Sequence, residues 1–455
     1  MIENKTIANI ITPPGKSGVG IIRVSGEQSF MIIDQLFKPY DQQSFKAKES
    51  HKAYLGKVVR SNGSLLDEAL VLLFKGPNSF TGDDTVEIQA HGNPFILREI
   101  LKEILLLGAR QSQAGEFTRQ AFLNGKLDLT QCEGILDTIN ASNKLALQQS
   151  LSQLEGSLRK KIKNISKELI QLSAYLEATI DFPDDEIDSS LSRTEIAVKA
   201  DNIRKTTDDL LKTYQQGKLI KEGITTVLIG QPNAGKSSLL NSFLNEDRAI
   251  ITELPGTTRD AIEEQIILDE LTLKLVDTAG FRETEDKIEK IGIAKTYDYI
   301  QIAQLVIFLI DASKGLTTSD QKMLDHLDRL EKKYLLVYNK ADLLSQEILE
   351  KNVGRIYISA KHSTGLEILM SRIKEIFLEK ESEELYLNNL RYYESLNKVR
   401  TSIETFIREL SREDIPYDLL TIHLKEAYQE LSFITGENFT DELLENIFNQ
   451  FCIGK

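Results

Sequence analysis

Gly230-Gln231-Pro232-Asn233-Ala234-Gly235-Lys236-Ser237 sets two glycines, a lysine and a serine at the spacing G-x-x-x-x-G-K-S. That spacing suits polyphosphate chemistry. The glycines let backbone N–H groups curl around phosphate oxygens, Lys236 neutralises β/γ charge, and Ser237 can ligate Mg²⁺. Ser238 opens a helical run whose N-terminal dipole adds to the pull on an anion. A second G-K-S, Gly15-Lys16-Ser17, has Ile10 where the first glycine belongs and reads as a turn. Asp277-Thr278-Ala279-Gly280 follows the apolar run Leu271–Val276. An aspartate there can hold the Mg²⁺ shell, and the glycine N–H can meet a γ-phosphate. Asn339-Lys340-Ala341-Asp342 follows the run Tyr334–Tyr338. Asp342 can accept hydrogen bonds from guanine N1–H and the 2-amino group, a pair adenine lacks, while Lys340 can lie over the base. Ser359-Ala360-Lys361 completes the pocket by backbone donation to the guanine oxygen. Each motif alone is weak; in this order, each at a strand end, they specify GTP.

This order resembles the Ras-like P-loop GTPases. In those, a glutamine after D-x-x-G orients water; here Phe281 stands there, so the orienting group must come from elsewhere. Asn233 and the stretch Ile250–Asp260 suggest an oxygen cage for K⁺, built from side chains and loop carbonyls. A cation there would put charge beside the β/γ bridge, as an arginine finger does. The competing reading of Asn233 is a plain turn residue. Thr258 is the expected switch threonine on Mg²⁺.

The elements that must position these groups fall into blocks. The chain has 455 residues and suggests about three domains. Residues 1–125 mix short strands with a helix and read as an α+β domain. Residues 126–216 are helical. Leu147, Leu151, Leu154, Leu158, Ile162, Ile165, Leu169 and Leu172 step at one helical turn, which predicts a single long amphipathic helix. Residues 217–382 alternate strands and helices, implying a parallel sheet covered on both faces. Residues 383–455 are helical again. The economical architecture is a discontinuous helical domain, its two flanks packed together, with the α/β domain inserted. A net charge of −14 argues against non-specific nucleic-acid coating. Arg159-Lys160-Lys161-Ile162-Lys163 is the best local basic patch, read as a solvated helix face or an RNA contact. Two cysteines exclude a disulfide framework, five scattered histidines argue against a metal enzyme, and no apolar run reaches membrane length. The N-terminus lacks a signal or transit pattern, so a cytoplasmic location is expected.

Gly-Gln-Pro-Asn-Ala-Gly-Lys-Ser, Gly256-Thr257-Thr258-Arg259-Asp260, Asp277-Thr278-Ala279-Gly280-Phe281-Arg282 and the tail Phe451-Cys452-Ile453-Gly454-Lys455 occur together. With Pro77-Asn78-Ser79-Phe80-Thr81-Gly82-Asp83-Asp84 and Ile180-Asp181-Phe182-Pro183, they make the chain resemble, along its whole length, the MnmE (TrmE) family of tRNA-uridine-modifying GTPases. The resemblance implies a homodimer formed through N-terminal domains that bind 5-formyl- or 5,10-methylene-tetrahydrofolate. Arg23, Glu87, Lys126 and Lys455 match the folate-contacting positions. Asn233, Thr252, Leu254 and Thr257 match the K⁺-coordinating positions, within a nucleotide-binding stretch that includes Glu253, Pro255 and Gly256. Glu289 matches the glutamate that orients water, and Arg282 lies in the second switch. The implied partner is the flavoprotein MnmG (GidA), which carries FAD. Together they would install an aminomethyl-type group at C5 of the wobble uridine of certain tRNAs. Cys452 invites a nucleophilic role, but its apolar neighbours Phe448, Phe451 and Ile453 favour packing or tail geometry. The competing function is a GTP-dependent ribosome-assembly switch without substrate chemistry.

Overall fold

A computed structural model of the chain describes residues 6–41, 43–44, 47–181, 191–245, 263–276, 297–351, 354–378, 385–452 and 454–455. In chain order the N-terminal elements are β1 (Ile7–Ile10), β2 (Ser17–Ser25), α1 (Ser29–Leu36), β3 (Phe37–Pro39), β4 (Ala53–Val59), β5 (Leu65–Phe74), β6 (Thr85–Gly92), α2 (Pro94–Leu106), β7 (Arg110–Gln111) and α3 (Glu116–Leu123). Helices α4 (Leu129–Asn140), α5 (Lys144–Leu154), α6 (Ser157–Asp181), α7 (Arg193–Lys212) and α8 (Tyr214–Glu222) follow. Next come β8 (Ile224–Gly230), α9 (Lys236–Asn245), β9 (Glu263–Leu268), β10 (Leu271–Val276), β11 (Leu305–Asp311), α10 (Thr318–Arg329), β12 (Tyr334–Asn339), α11 (Gln346–Lys351), β13 (Ile356–Tyr357) and α12 (Leu366–Phe377). Helices α13 (Leu390–Leu410), α14 (Tyr417–Thr435) and α15 (Asp441–Phe448) close the chain. Two compact units result: Met1–Leu136 with Gln153–Ser173 and Leu424–Lys455, and Asp137–Ser152 with Ala174–His423.

The first unit holds a seven-stranded sheet ordered β3-β4-β5-β6-β2-β1-β7, antiparallel except for β1 and β7. Strict alternation builds it. Ile22 and Val24 of β2, Val71 and Leu73 of β5, and Val86 and Ile88 of β6 point into one core with Ile32, Ile33, Ile100 and Ile104 from α1 and α2. The opposite parity places Arg23 directly across from Glu87. Asn93 caps α2 by accepting from the Phe95 N–H, and Pro94 supplies a first-turn residue that needs no hydrogen-bond partner.

The second unit holds a six-stranded sheet ordered β13-β12-β11-β8-β10-β9, parallel apart from the β9–β10 hairpin. Its central strands are apolar on both faces. Val306, Phe308 and Ile310 enter one core, while Ile307 and Leu309 enter the other. The helical flanks pack together as expected, although the whole sheet separates them in sequence. Tyr214 stacks on Tyr393 at 4.3 Å, and Arg193 donates to the Leu410, Arg412 and Ile415 carbonyls at the end of α13.

The single long helix expected over Leu147–Leu172 is two. Helix α5 ends at Leu154 and α6 begins at Ser157. Gly156 between them takes φ +87 and donates to the Gln153 carbonyl, which stops the first helix. The apolar stripe carries through α6, where Leu158, Ile162, Ile165, Leu169 and Leu172 are buried, each contributing about 1.5–3 kcal/mol. In α5, Leu147 and Leu151 are exposed, and Ser150 and Gln153 are buried instead.

Candidate functional sites

In the second unit β8 lies between β11 and β10 and delivers the phosphate-binding loop at its C-terminal end. The loop's glycines are sterically required. A Cβ on Gly230 (φ +150) would sit 2.4 Å from the Leu309 carbonyl oxygen, and one on Gly235 (φ +99) would sit 2.1 Å from Asn339 Nδ2. Asn233 is itself left-handed, at φ +65, so its turn chemistry is real. Ala234 is buried beneath it, while Ser237 and Ser238 are exposed at the start of α9.

Lys236 Nζ donates to the Gly230 carbonyl at 2.7 Å and the Gln231 carbonyl at 3.3 Å. Burial alone holds its pKa below the ordinary lysine value, and among the described residues no carboxylate pairs with it. A desolvated ammonium held by carbonyls is stabilised by a polyanion, because phosphate charge offsets the desolvation. Gln231, which the sequence reading did not single out, donates to Thr317 Oγ1 at 2.6 Å and Asp320 Oδ1 at 3.2 Å. Those two residues form the capping box of α10, so the loop is tied to a fixed helix start.

The base-reading motifs converge on that loop. Asn339 is 2% exposed; its Nδ2 donates to the Ala234 carbonyl at 2.8 Å and its Oδ1 accepts from the Ala360 N–H at 3.0 Å. One side chain therefore joins the phosphate loop to the Ser359-Ala360-Lys361 turn. Ser359 Oγ donates to Asp342 Oδ1 at 2.5 Å, which holds that carboxyl below the usual range and fixes its plane. Ala341 extends the turn through its N–H to the Ile358 carbonyl, and Lys361 is exposed. Lys340 takes φ +66, and its Nζ pairs with Asp311 Oδ2 at 2.6 Å. Burial would raise the Asp311 pKa, but Lys340 and Ser313 hold it below the usual value. Asp311 is a second residue the sequence reading passed over; its signal is an acid ending the apolar strand β11.

Thr252, Glu253, Leu254, Pro255, Gly256, Thr257, Thr258, Asp277, Thr278, Ala279, Gly280, Phe281, Arg282 and Glu289 lie outside the described residues.

The first unit gathers the other predicted set. Arg23 Nε and Nη2 reach Glu87 Oε1 at 2.9 and 2.8 Å. The guanidinium also lies over Phe80 and Phe117, at 5.3 and 5.4 Å from the ring centroids. The tail docks beside this pair. Phe117 N–H donates to the Lys455 carbonyl at 3.2 Å, and Gly454 (φ +96) passes so close that a Cβ would meet the Ile10 carbonyl at 2.9 Å. Burial holds the Lys455 ammonium's pKa below the ordinary value, and the nearby Arg23 charge lowers it further, with Glu87 opposing. Arg23, Glu87 and Lys455 thus form one electrostatic cluster across 432 positions of sequence between Arg23 and Lys455. Lys126 joins through the loop that carries Phe80, donating to the Pro77 carbonyl at 2.9 Å.

Cys452 corrects an expectation. Phe448 and Phe451 are buried, but the thiol-bearing residue between Phe451 and the last turn is exposed. Its packing role fails because the chain leaves the α15 core there; its tail-geometry role stands, since its carbonyl accepts from the Lys455 N–H at 3.3 Å.

A family model for the GTP-binding protein TrmE N-terminus matches residues 6–126, and one for the MnmE helical domain matches residues 129–452, bracketing the inserted sheet. A tRNA modification GTPase MnmE from Acetivibrio thermocellus is 40% identical over 465 residues, covering 100% of both chains. The protein of the same description from Caldicellulosiruptor saccharolyticus is 42% identical over 462 residues, again covering 100% of both. Among solved structures, the G domain of the T. maritima FeoB iron transporter is 25% identical, covering 34% of this chain and 99% of that one with a TM-score of 0.25.

Proposed function

The chain belongs to the tRNA modification GTPase MnmE family, and from that premise we propose that it hydrolyses GTP in a cycle coupled to C5 modification of the wobble uridine of certain tRNAs. The observation that carries this reading is the coexistence of two built sites in one chain: the guanine-nucleotide loops tied by Asn339, and the Arg23–Glu87–Lys455 cluster. The four-segment division at residues 125, 216 and 382 remains our domain assignment.

On the nucleotide side, Lys236 binds the β/γ-phosphates and Asp342, held by Ser359, reads guanine. Ser237, exposed at the helix start, would hold Mg²⁺ with Thr258. The exposed Asn233, with Thr252, Leu254 and Thr257, would hold K⁺. These cations supply neutralisation of charge developing at the β/γ bridge. Glu289 is assigned to orient water, and Arg282 to support the second switch.

On the other side, two cations and one carboxylate share a half-buried space. A ligand bearing carboxylates offsets the Lys455 and Arg23 charges, and Glu87 suits the amide edge of a pterin. This supports a tetrahydrofolate one-carbon donor, 5-formyl or 5,10-methylene, with Lys126 at the rim. The reading includes a homodimer and a flavoprotein partner, MnmG (GidA), that carries FAD. The group installed would be of carboxymethylaminomethyl type.

The test is a gene deletion followed by mass spectrometry of total-tRNA nucleosides, complemented by wild type and by Lys236→Ala. Loss of C5-modified wobble uridines restored only by wild type is expected. An unchanged nucleoside profile, with no second copy of the gene, would overturn the modifying role and leave a GTP-dependent assembly switch.

A further inference from the structure

We infer that the lysine face of α6 is a docking surface for the tRNA backbone, an inference that rests on the tRNA-modifying reading. The chain carries a net charge of −14, yet Arg159, Lys160, Lys161, Lys163 and Lys167 follow one another with no acidic residue between them. Helical spacing puts Lys160, Lys163 and Lys167 on one stripe, over a rise of about 10 Å. They stand opposite the buried Leu158, Ile162, Ile165 and Leu169.

Several lysines of the neighbouring helices are paired within the chain: Lys205 with Asp201 at 2.9 Å, Lys212 with Asp209 at 2.8 Å, Lys221 with Asp137 at 2.8 Å. Among the described residues, Lys160, Lys161, Lys163 and Lys167 have no such carboxylate. Only Arg159 at the edge is paired, with Asp128 at 3.0 Å. Like charges crowded on two helical turns repel and condense counterions. A phosphate backbone relieves the repulsion and releases those ions.

The side of the stripe nearest Arg159 adjoins a cavity of about 230 Å³. Arg159, Lys163, Asp128, Glu437, Phe122 and Phe439 contribute to its wall, the two phenyl rings meeting edge-on at 5.3 Å. An exposed aromatic ring, here Phe439, and a guanidinium plane are groups on which an unstacked base can stack. A cavity of this lining beside an unpaired cationic stripe, in a chain read as acting on tRNA, favours RNA as the occupant.

The experiment is fluorescence anisotropy of labelled tRNA with the full chain across a KCl series. It compares wild type with Lys160→Glu/Lys163→Glu/Lys167→Glu, and with a charge-matched control at the exposed Lys102, Lys199 and Lys322. The α6 variant is expected to bind at least about tenfold more weakly, with a shallower salt slope, while GTP hydrolysis and melting temperature stay at wild-type values. The control is expected to lose much less. Equal affinity and slope for wild type and the α6 variant, or an equal loss in the control, overturns the inference. So does absence of tRNA binding by wild type, or unchanged tRNA binding with loss of flavoprotein binding, which would give the face to a protein. The nucleoside profile of the deletion strain does not depend on this face, so the surface can fail while the modifying role stands.

Discussion

The nucleotide site and the Arg23–Glu87–Lys455 cluster are built by opposite methods. The first is assembled from strand-end turns of one parallel sheet, and backbone conformation does most of the work: Gly230 and Gly235 have no room for a side chain, and Asn233 and Lys340 take left-handed turns. The second is assembled from side chains brought together by sheet register and by a tail that returns to β1 and α3. A backbone-built site tolerates changes around it but not within its loops. A register-built site is vulnerable wherever its distant parts are anchored, even at residues with no side chain.

Lys236→Ala should separate the two sites most strongly. It is expected to lower GTP turnover by on the order of a hundredfold or more, since it removes the ammonium that the phosphate-binding loop holds at the end of β8. The folate binding proposed for the first unit should be unchanged. Phosphate release and folate titration on the same preparation check both halves, and a matching loss of folate affinity would show that the sites are not built independently.

Next in size is Gly454→Ala. A methyl group at φ +96, 2.9 Å from a carbonyl oxygen, strains the docked tail by about 1–3 kcal/mol. Folate affinity should fall by about tenfold, with guanine-nucleotide binding and hydrolysis unaffected. Calorimetric titration of both ligands decides it; unchanged folate affinity would mean that tail docking is not part of that site.

The smallest effect is a pH dependence. Because burial and Arg23 depress the Lys455 pKa, its ammonium opposes folding in full below the folded-state pKa. Between that value and the ordinary 10.5 the unfolded chain holds the extra proton, so stability rises with pH, and above 10.5 the penalty is gone. Lys455→Gln removes the term. The melting-temperature advantage of Lys455→Gln over wild type should therefore shrink as pH is raised from 8 towards 10.5. A constant difference would place the ammonium in solvent.

These two construction methods also explain what could be seen in advance. The phosphate and guanine motifs were legible because each is a short run at the end of an apolar strand, and strands such as Leu271–Val276 have the expected bounds. Arg23 and Glu87 look like ordinary strand charges until the register is known, and only family resemblance pointed to them. Gln231 and Asp311 were missed because each acts through a partner far off in sequence, Thr317 and Lys340. The break at Gly156 was hidden because a helical leucine spacing runs straight through a residue that adopts φ +87.

The packing of α7 on α13 has a consequence for how the protein is made. Helix α7 leaves the ribosome with the apolar row Ile196, Ala200, Ile203 and Leu210 ready for Val399, Ile403 and Phe406, which do not yet exist. Synthesis of the intervening residues 213–389 takes on the order of 10–40 s at ordinary elongation rates. The inserted sheet has that interval to fold before α13 emerges to close the helical frame. A chain stalled within the insert would leave that row uncovered, a surface suited to chaperone capture.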